Sequence, residues 1–348
     1  MSINMWFRRG DKLDIGIVVF ELTDACNQAC KFCYNHFKGE GTCSVEAPNF
    51  RLARRTLKRL LGEARIGSLS LSGGEPMLLP RIHDLVLRAR MAGSNVNILT
   101  NGTLLTDNDI AIFDDLGVGT LQIPMLSHNA DIHDSITQLR GSWQRATTAA
   151  RRVAERKEGW LTPVLILSRL NYNDIEPTMR MYAEMGCRYI MVNRFNIGGL
   201  GKVYHKELTL THEELRNAFR RVDAMAAELK MTIHSGVCTP MCLLDPKEYP
   251  HIMFTNCSTD LSSRPLTVNY RGDVRFCNHS PRVLGNIYSE SLRSIIERSA
   301  SDGYFDSVPE SCAGCKLWQR CRGGCRAASE QMYGTFDRID PVMNTTNE

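Results

Sequence analysis

From residue 17 to about residue 196, short apolar runs rich in Ile, Val and Leu alternate with longer stretches whose apolar residues recur every three or four positions. The short runs read as buried strands and the longer ones as amphipathic helices. Strands are predicted at 17–22, 68–72, 96–100, 119–124, 164–168 and 189–193, and helices at 50–63, 82–90, 107–115, 143–156 and 175–185. Thr106 and Asn173 stand where helix N-caps are wanted. Six β/α units around a parallel sheet follow. The glycine-rich Asn196-Ile-Gly-Gly-Leu-Gly201 breaks the alternation, and Thr211-His-Glu-Glu opens a further helix to about Lys230 by a capping-box pattern.

Beyond Ile233 the texture changes. Eight cysteines fall between Cys238 and Cys325 among scattered prolines, with few long apolar runs. So loop-rich a stretch needs metal to hold it together. The expected organisation is an N-terminal extension (1–16), a β/α domain (17–205), a linking helix and strand (206–235), a cysteine-rich domain (236–336) and a tail (337–348) that frays from Asp340.

Charge narrows the partners. With 42 basic and 38 acidic residues the formal net charge of +4 is too mild to argue for nucleic acid. The densest basic run, Arg51-Leu-Ala-Arg-Arg-Thr-Leu-Lys-Arg59, is interleaved with leucines at helical spacing and reads as a solvated helix face. The N-terminus lacks the apolar core of a signal peptide, and no run is long enough for a membrane span, so a cytoplasmic chain without membrane partners is expected. Thirteen cysteines in a reducing compartment point to metal rather than disulfides.

Cys26, Cys30 and Cys33 form a CxxxCxxC run directly after the first strand. Three thiolates at that spacing can hold one corner of an iron–sulfur cube and leave the fourth iron open. Spacing alone also admits a zinc knuckle completed by His36, or free buried thiols. At the end of the second strand comes Ser72-Gly-Gly-Glu-Pro76, where glycines permit close backbone approach and a carboxylate can accept from an ammonium.

The cysteine run followed at this distance by Gly-Gly-Glu-Pro resembles the radical SAM superfamily. The resemblance implies a partial (β/α)6 TIM-like barrel, a 4Fe-4S cluster on the three cysteines, and S-adenosylmethionine (SAM) cleaved to methionine and a 5′-deoxyadenosyl radical. It also implies roles for residues at matching positions. Gly73, Gly74, Glu75 and Pro76 would contact the SAM amino group, Thr100 and Asn101 the ribose, and Phe32 the adenine. Ser168 and Asn171 would reach ribose or carboxylate, and Arg194 the methionyl carboxylate, with Arg169 as its competitor. No catalytic acid, base or hydrogen donor is assigned.

Cys257, then Gly272-Asp-Val-Arg-Phe-Cys277, then Cys312, Cys315, Cys321 and Cys325 in a CxxCxxxxxCxxxC pattern resemble the SPASM extension, an auxiliary iron–sulfur domain of radical SAM enzymes. A zinc ribbon is the alternative for Cys312 to Cys325. By the resemblance, Cys257, Cys277 and Cys325 share a first auxiliary cluster with an upstream cysteine, Cys242 being preferred over Cys238. Cys312, Cys315 and Cys321 hold a second, whose fourth ligand is open because no cysteine follows Cys325. Cys238 looping back, a non-cysteine ligand or an open iron would complete it. Cys43 and Cys187 stay outside every set. Sulfatase-type maturation is disfavoured, since Asn278 follows Cys277 where that branch carries aspartate.

The expected function is oxidative modification of a peptide or protein, by cross-linking or dehydrogenation, with flavodoxin or ferredoxin as reductant. A small-molecule substrate such as an aminocyclitol, sugar or tetrapyrrole is the alternative. A non-catalytic electron carrier or zinc scaffold is the alternative of another class.

Overall fold

The computed structural model describes residues 12–38, 47–258, 263–300 and 306–344; Cys43 lies outside them. The six predicted strands form as β1 (Leu13–Glu21), β2 (Ala64–Ser72), β3 (Asn95–Leu99), β4 (Thr120–Pro124), β5 (Leu161–Leu167) and β6 (Tyr189–Arg194), paired in parallel in chain order. Between them run α1 (Phe50–Glu63), α2 (Ile82–Met91), α3 (Asp107–Asp115), α4 (Ala130–Thr137), α5 (Ser142–Arg156) and α6 (Ile175–Glu184). Of these only α4 was not predicted. Its buried residues are His133, Ile136 and Thr137, of which Ile136 alone is apolar, too little for a visible period, and Asn129 caps it.

In α1, Ala53, Leu57 and Leu60 are fully buried while Arg51, Arg54, Arg55 and Lys58 face solvent, so the basic run is a solvated face. Thr106 with Asp109, and Thr211 with Glu214, close capping boxes as their spacing predicts. Asn173 does not cap: it lies inside the 3-10 turn Arg169–Asp174, and Asp174 occupies the N-cap of α6.

The sheet continues past six strands. α7 (His205–Leu208) and α8 (His212–Leu229) lead to β7 (Thr232–Ser235), which with β8 (Ile252–Phe254) extends the parallel run beyond β6. On the opposite edge β9 (Pro265–Asn269) pairs in parallel with β1, followed by antiparallel β10 (Asp273–Arg275) and β11 (Val283–Asn286). The eleven strands form one sheet that crosses the boundary expected at residue 236. β7 is the strand expected within 206–235, while β8, β10 and β11, of three or four residues, carry too few alternations to be read from sequence. α9 (Leu292–Ala300), α10 (Trp318–Cys321) and α11 (Arg326–Tyr333) complete the cysteine-rich region.

Two buried ion pairs tie that region to the parallel sheet. Glu21 at the end of β1 pairs with Arg275 at the end of β10, and Arg194 at the end of β6 pairs with Asp340. Asp340 is 1% exposed and leads into the 3-10 turn Pro341–Asn344. The expectation of a tail frayed from Asp340 is therefore corrected through residue 344, because a buried guanidinium requires its carboxylate.

Candidate active site

β1 delivers the chain into the cysteine loop, and the Gly-Gly-Glu segment holds that loop in place. Gly74 N–H donates to Thr23 O at 2.7 Å and Glu75 N–H to Ala25 O at 2.8 Å, continuing the pairing of β2 with β1. Gly73 has φ +128, and a Cβ on Gly74 would fall 2.0 Å from Ala25 O. The glycines thus allow the approach of one backbone to another, rather than only to a ligand. Gly74→Ala is expected to break this pairing, destabilise the protein by about 3 kcal/mol and lower the iron held by the adjacent cysteines. Thermal melting and iron analysis measure both effects.

Cys26, Cys30 and Cys33 line a cavity of about 210 Å³ at the carboxyl ends of the parallel strands. Burial pushes the Cys30 thiol well above its usual value, and the neighbouring Cys33 and Cys26 push it further. Lys38 is 3% exposed, and its Nζ donates to Gln28 O at 2.9 Å. Burial acts to lower the Lys38 pKa, yet the three thiols hold it above the ordinary lysine value.

Glu75 is 1% exposed, and burial pushes its carboxyl up. Its Oε1 accepts from Thr100 Oγ1 at 2.6 Å and Met77 N–H at 3.0 Å, and its Oε2 accepts from Asn101 N–H at 2.8 Å. Asn101 Nδ2 donates to Asn27 Oδ1, and Asn27 Nδ2 to Thr103 Oγ1, each at 2.8 Å. The Thr100-Asn101 turn is thereby fastened to both the carboxylate and the cysteine loop.

Farther along, the cysteines sort into two sets of four. Cys238 hydrogen-bonds Cys257 and adjoins Cys325 and Cys277; burial pushes Cys277 up to about 11 and Cys325 to about 12. Cys242 adjoins Cys321 and Cys315, and Cys312 adjoins Cys321, Cys242 and Cys315. The structure thus exchanges the expected places of Cys238 and Cys242. Arg194 Nη2 donates to Cys238 O at 2.9 Å, holding Cys238 on the side of the first set. Past Pro240 the chain turns, and Met241 N–H donates to Cys321 Sγ at 3.3 Å in the second. Cys242 thereby lies beside Cys312, Cys315 and Cys321, the set for which the sequence offered no fourth cysteine after Cys325.

The profile of the Radical SAM superfamily matches residues 20–182, and that of the iron-sulfur cluster-binding SPASM domain matches residues 257–316. The chain belongs to the radical SAM superfamily. It is similar over 334 residues, at 26% identity, to the PqqA peptide cyclase of Ruegeria pomeroyi, covering 93% of this chain and 86% of that one. It is equally similar, at 26% over 341 residues, to the AdoMet-dependent heme synthase of Methanosarcina barkeri, covering 93% and 95%. Streptococcus suis SuiB bound to S-adenosylmethionine superposes with a TM-score of 0.69 at 16% identity, covering 95% of this chain and 78% of SuiB. Native anSMEcpe with bound AdoMet gives 0.70 at 16%, covering 94% of each. At such identity these two structures speak for the fold alone.

This radical SAM chain is an enzyme of 4Fe-4S clusters and SAM, and its donor sets fit those groups. Among the described residues, no three Cys, His, Asp or Glu side chains converge as ligands of a single ion. The cysteines instead form one set of three around the buried Cys30 and two sets of four, in which each thiolate needs a cationic metal centre to offset its neighbours. His36 is turned away, its Nδ1 at 2.9 Å from Arg275 Nη1, and burial pushes its pKa down to about 4. No helix of the described residues is long and apolar enough to cross a membrane.

The SAM-contact residues expected from sequence divide. Phe32, Gly74, Glu75, Thr100 and Asn101 line the cavity. Gly73 O accepts from Asn35 Nδ2 at 3.0 Å, and Pro76 opens a 3-10 turn capped by Glu75. Ser168 and Asn171 instead form a capping box, with Asn171 Nδ2 donating to Leu126 O at 2.7 Å and Ile166 O at 2.8 Å. Arg194 is committed to Asp340, Thr239, Asn196 and Cys238, and Arg169 faces Glu214 at 3.8 Å. Cys187 is a buried core thiol, 4% exposed and pushed up to about 12 by burial.

Several cavity residues were missed by sequence reasoning: Tyr34, Lys38, Gln122, His133 and Asn193. Gln122 and Asn193 had a signal, being polar residues at inward positions of otherwise apolar strands. Tyr34 and Lys38 follow the cysteine run closely, but nothing in the sequence turns them inward. His133 arrives on α4. Its Nδ1 accepts from Leu126 N–H at 3.1 Å, and burial pushes its pKa down to about 4, so it is a neutral imidazole protonated at Nε2.

Proposed function

We propose that the chain carries out an oxidative radical modification of a peptide, removing hydrogen to form a cross-link or a dehydrogenated residue. The observation that carries this reading is Tyr34. Its ring walls the cavity, and its hydroxyl accepts from Asn278 Nδ2, next to Cys277 of the first auxiliary set. One side chain therefore separates the cavity from four thiols suited to a redox centre. Likeness to peptide cyclases over nearly the whole chain supports a peptide substrate.

When bound, the clusters and SAM supply the 5′-deoxyadenosyl radical that abstracts a substrate hydrogen and an acceptor for the electron then shed. The chain's own residues bind and orient. Glu75 Oε2, which accepts from Asn101 N–H, has capacity to accept also from the SAM ammonium. The Thr100-Asn101 turn, its N–H groups and the Thr100 hydroxyl committed to Gln122 O and Glu75, supplies fixed cavity wall for the ribose, and Phe32 an apolar face for the base. Leu99, Pro124, Val164 and Ile166 exclude water, while Gln122 and Asn193 supply neutral hydrogen-bonding groups. Asn278 cannot act as the carboxylate base of sulfatase-type maturation, because an amide does not take up a proton near neutral pH. The work belongs in the reducing cytoplasm, with a flavodoxin or ferredoxin as electron donor.

Equal likeness to a heme synthase favours a second reading, in which the substrate is a tetrapyrrole or similar small molecule. Co-expression with any short reading frame found beside the gene, set against turnover of a tetrapyrrole, separates the two. The expected result is a peptide lighter by two hydrogens, absent when Cys30→Ala replaces the native enzyme. Unmodified peptides together with turnover of a tetrapyrrole would overturn the peptide reading.

A further inference from the structure

Lys38 is a cation 3% exposed; the buried Glu75 carboxyl across the same cavity feels its charge, but among the described residues no carboxylate forms a close ion pair with it. Burying a charge without an opposite charge is strongly unfavourable. Its neighbours are Gln28 O, which accepts at 2.9 Å, and the thiols of Cys33, Cys26 and Cys30, which line the same cavity and act on its charge. Among the residues lining the cavity Lys38 is the one with a permanent positive charge; Arg194 and Arg169 do not line it. The 3-10 turn His36–Lys38 positions it, five residues beyond Cys33.

We propose that Lys38 is the built-in counter-ion of the cluster held by Cys26, Cys30 and Cys33, a positioning residue that makes this cluster easier to reduce. The proposal rests on the radical SAM reading of the three cysteines. A cube on three thiolates is anionic and gains a further negative charge on reduction. A fixed cation against its sulfurs stabilises the reduced form more than the oxidised one, and so raises the potential. Burial strengthens the effect, since little water screens the pair.

The test is a mediated redox titration of the full-length, anaerobically reconstituted protein, followed by electron paramagnetic resonance. The first cluster is recognised as the component of the signal that changes when SAM is added. In Lys38→Met, of similar length and no charge, the ratio of reduced to oxidised cluster in that component at a fixed potential is expected to fall about tenfold, or about 59 mV for a one-electron couple. Lys38→Arg is expected to recover most of the loss. Failure of Lys38→Met to take up the first cluster, with uptake intact in Lys38→Arg, would also support the charge role. Lys38→Met titrating like the native protein, or Lys38→Arg failing as badly as Lys38→Met, would overturn it. A native protein whose signal ignores SAM altogether would overturn the reading of the site itself, and the proposal with it.

Discussion

Cys30→Ala is expected to reduce conversion of SAM to 5′-deoxyadenosine to the level seen without protein, under dithionite and strict anaerobiosis. Cys30 is 9% exposed, sits between Cys26 and Cys33 and adjoins both sulfurs. Its Sγ–H donates to Gln28 Oε1 at 3.2 Å. With two thiolates left, the cube loses a ligand that no neighbouring side chain replaces, since His36 is engaged with Arg275. Iron should fall by about one cube's worth while the two four-cysteine sets keep theirs. Undiminished turnover in the variant would remove the cysteine run from the chemistry.

Asp340→Ala is expected to have the largest effect on stability. It strands the Arg194 guanidinium, 2% exposed, without its carboxylate. Breaking a buried pair in this way costs about 3–5 kcal/mol. The damage also reaches the first auxiliary set from two sides. Asp340 Oδ2 accepts from Cys325 N–H at 2.7 Å, and Arg194 holds Cys238 through its carbonyl. A lower thermal midpoint with loss of about one cube of iron is therefore expected, and Asp340→Asn should be milder because it still accepts a hydrogen bond. A variant as stable and as iron-rich as the native chain would contradict the role given to this pair.

The same pair marks where sequence reading stopped. Cys26, Cys30 and Cys33 lie within one turn of chain, so their spacing alone brings them together. Helix and strand periods likewise record which face is buried, and α1 and α3 form within the predicted bounds. Arg194 has the composition and position of a ligand-binding arginine, and only a partner 146 residues away reveals that it is structural. Cys238 and Cys242 are separated by a turn at Pro240, and sequence spacing does not record which side of a turn meets which distant cysteine. β7 is the strand expected within 206–235, whereas β8 to β11 are legible only through their neighbours, since pairing rather than periodicity defines them. The cavity residues His133 and Lys38 share that difficulty, each placed by short helical segments whose burial depends on what packs above them.

The most direct measurement is made on the native chain, reconstituted with iron and sulfide, reduced with dithionite and given SAM. Formation of 5′-deoxyadenosine and methionine in equal amounts is the expected result. Protein that carries its full iron, binds SAM and yields neither product would contradict radical generation at this site.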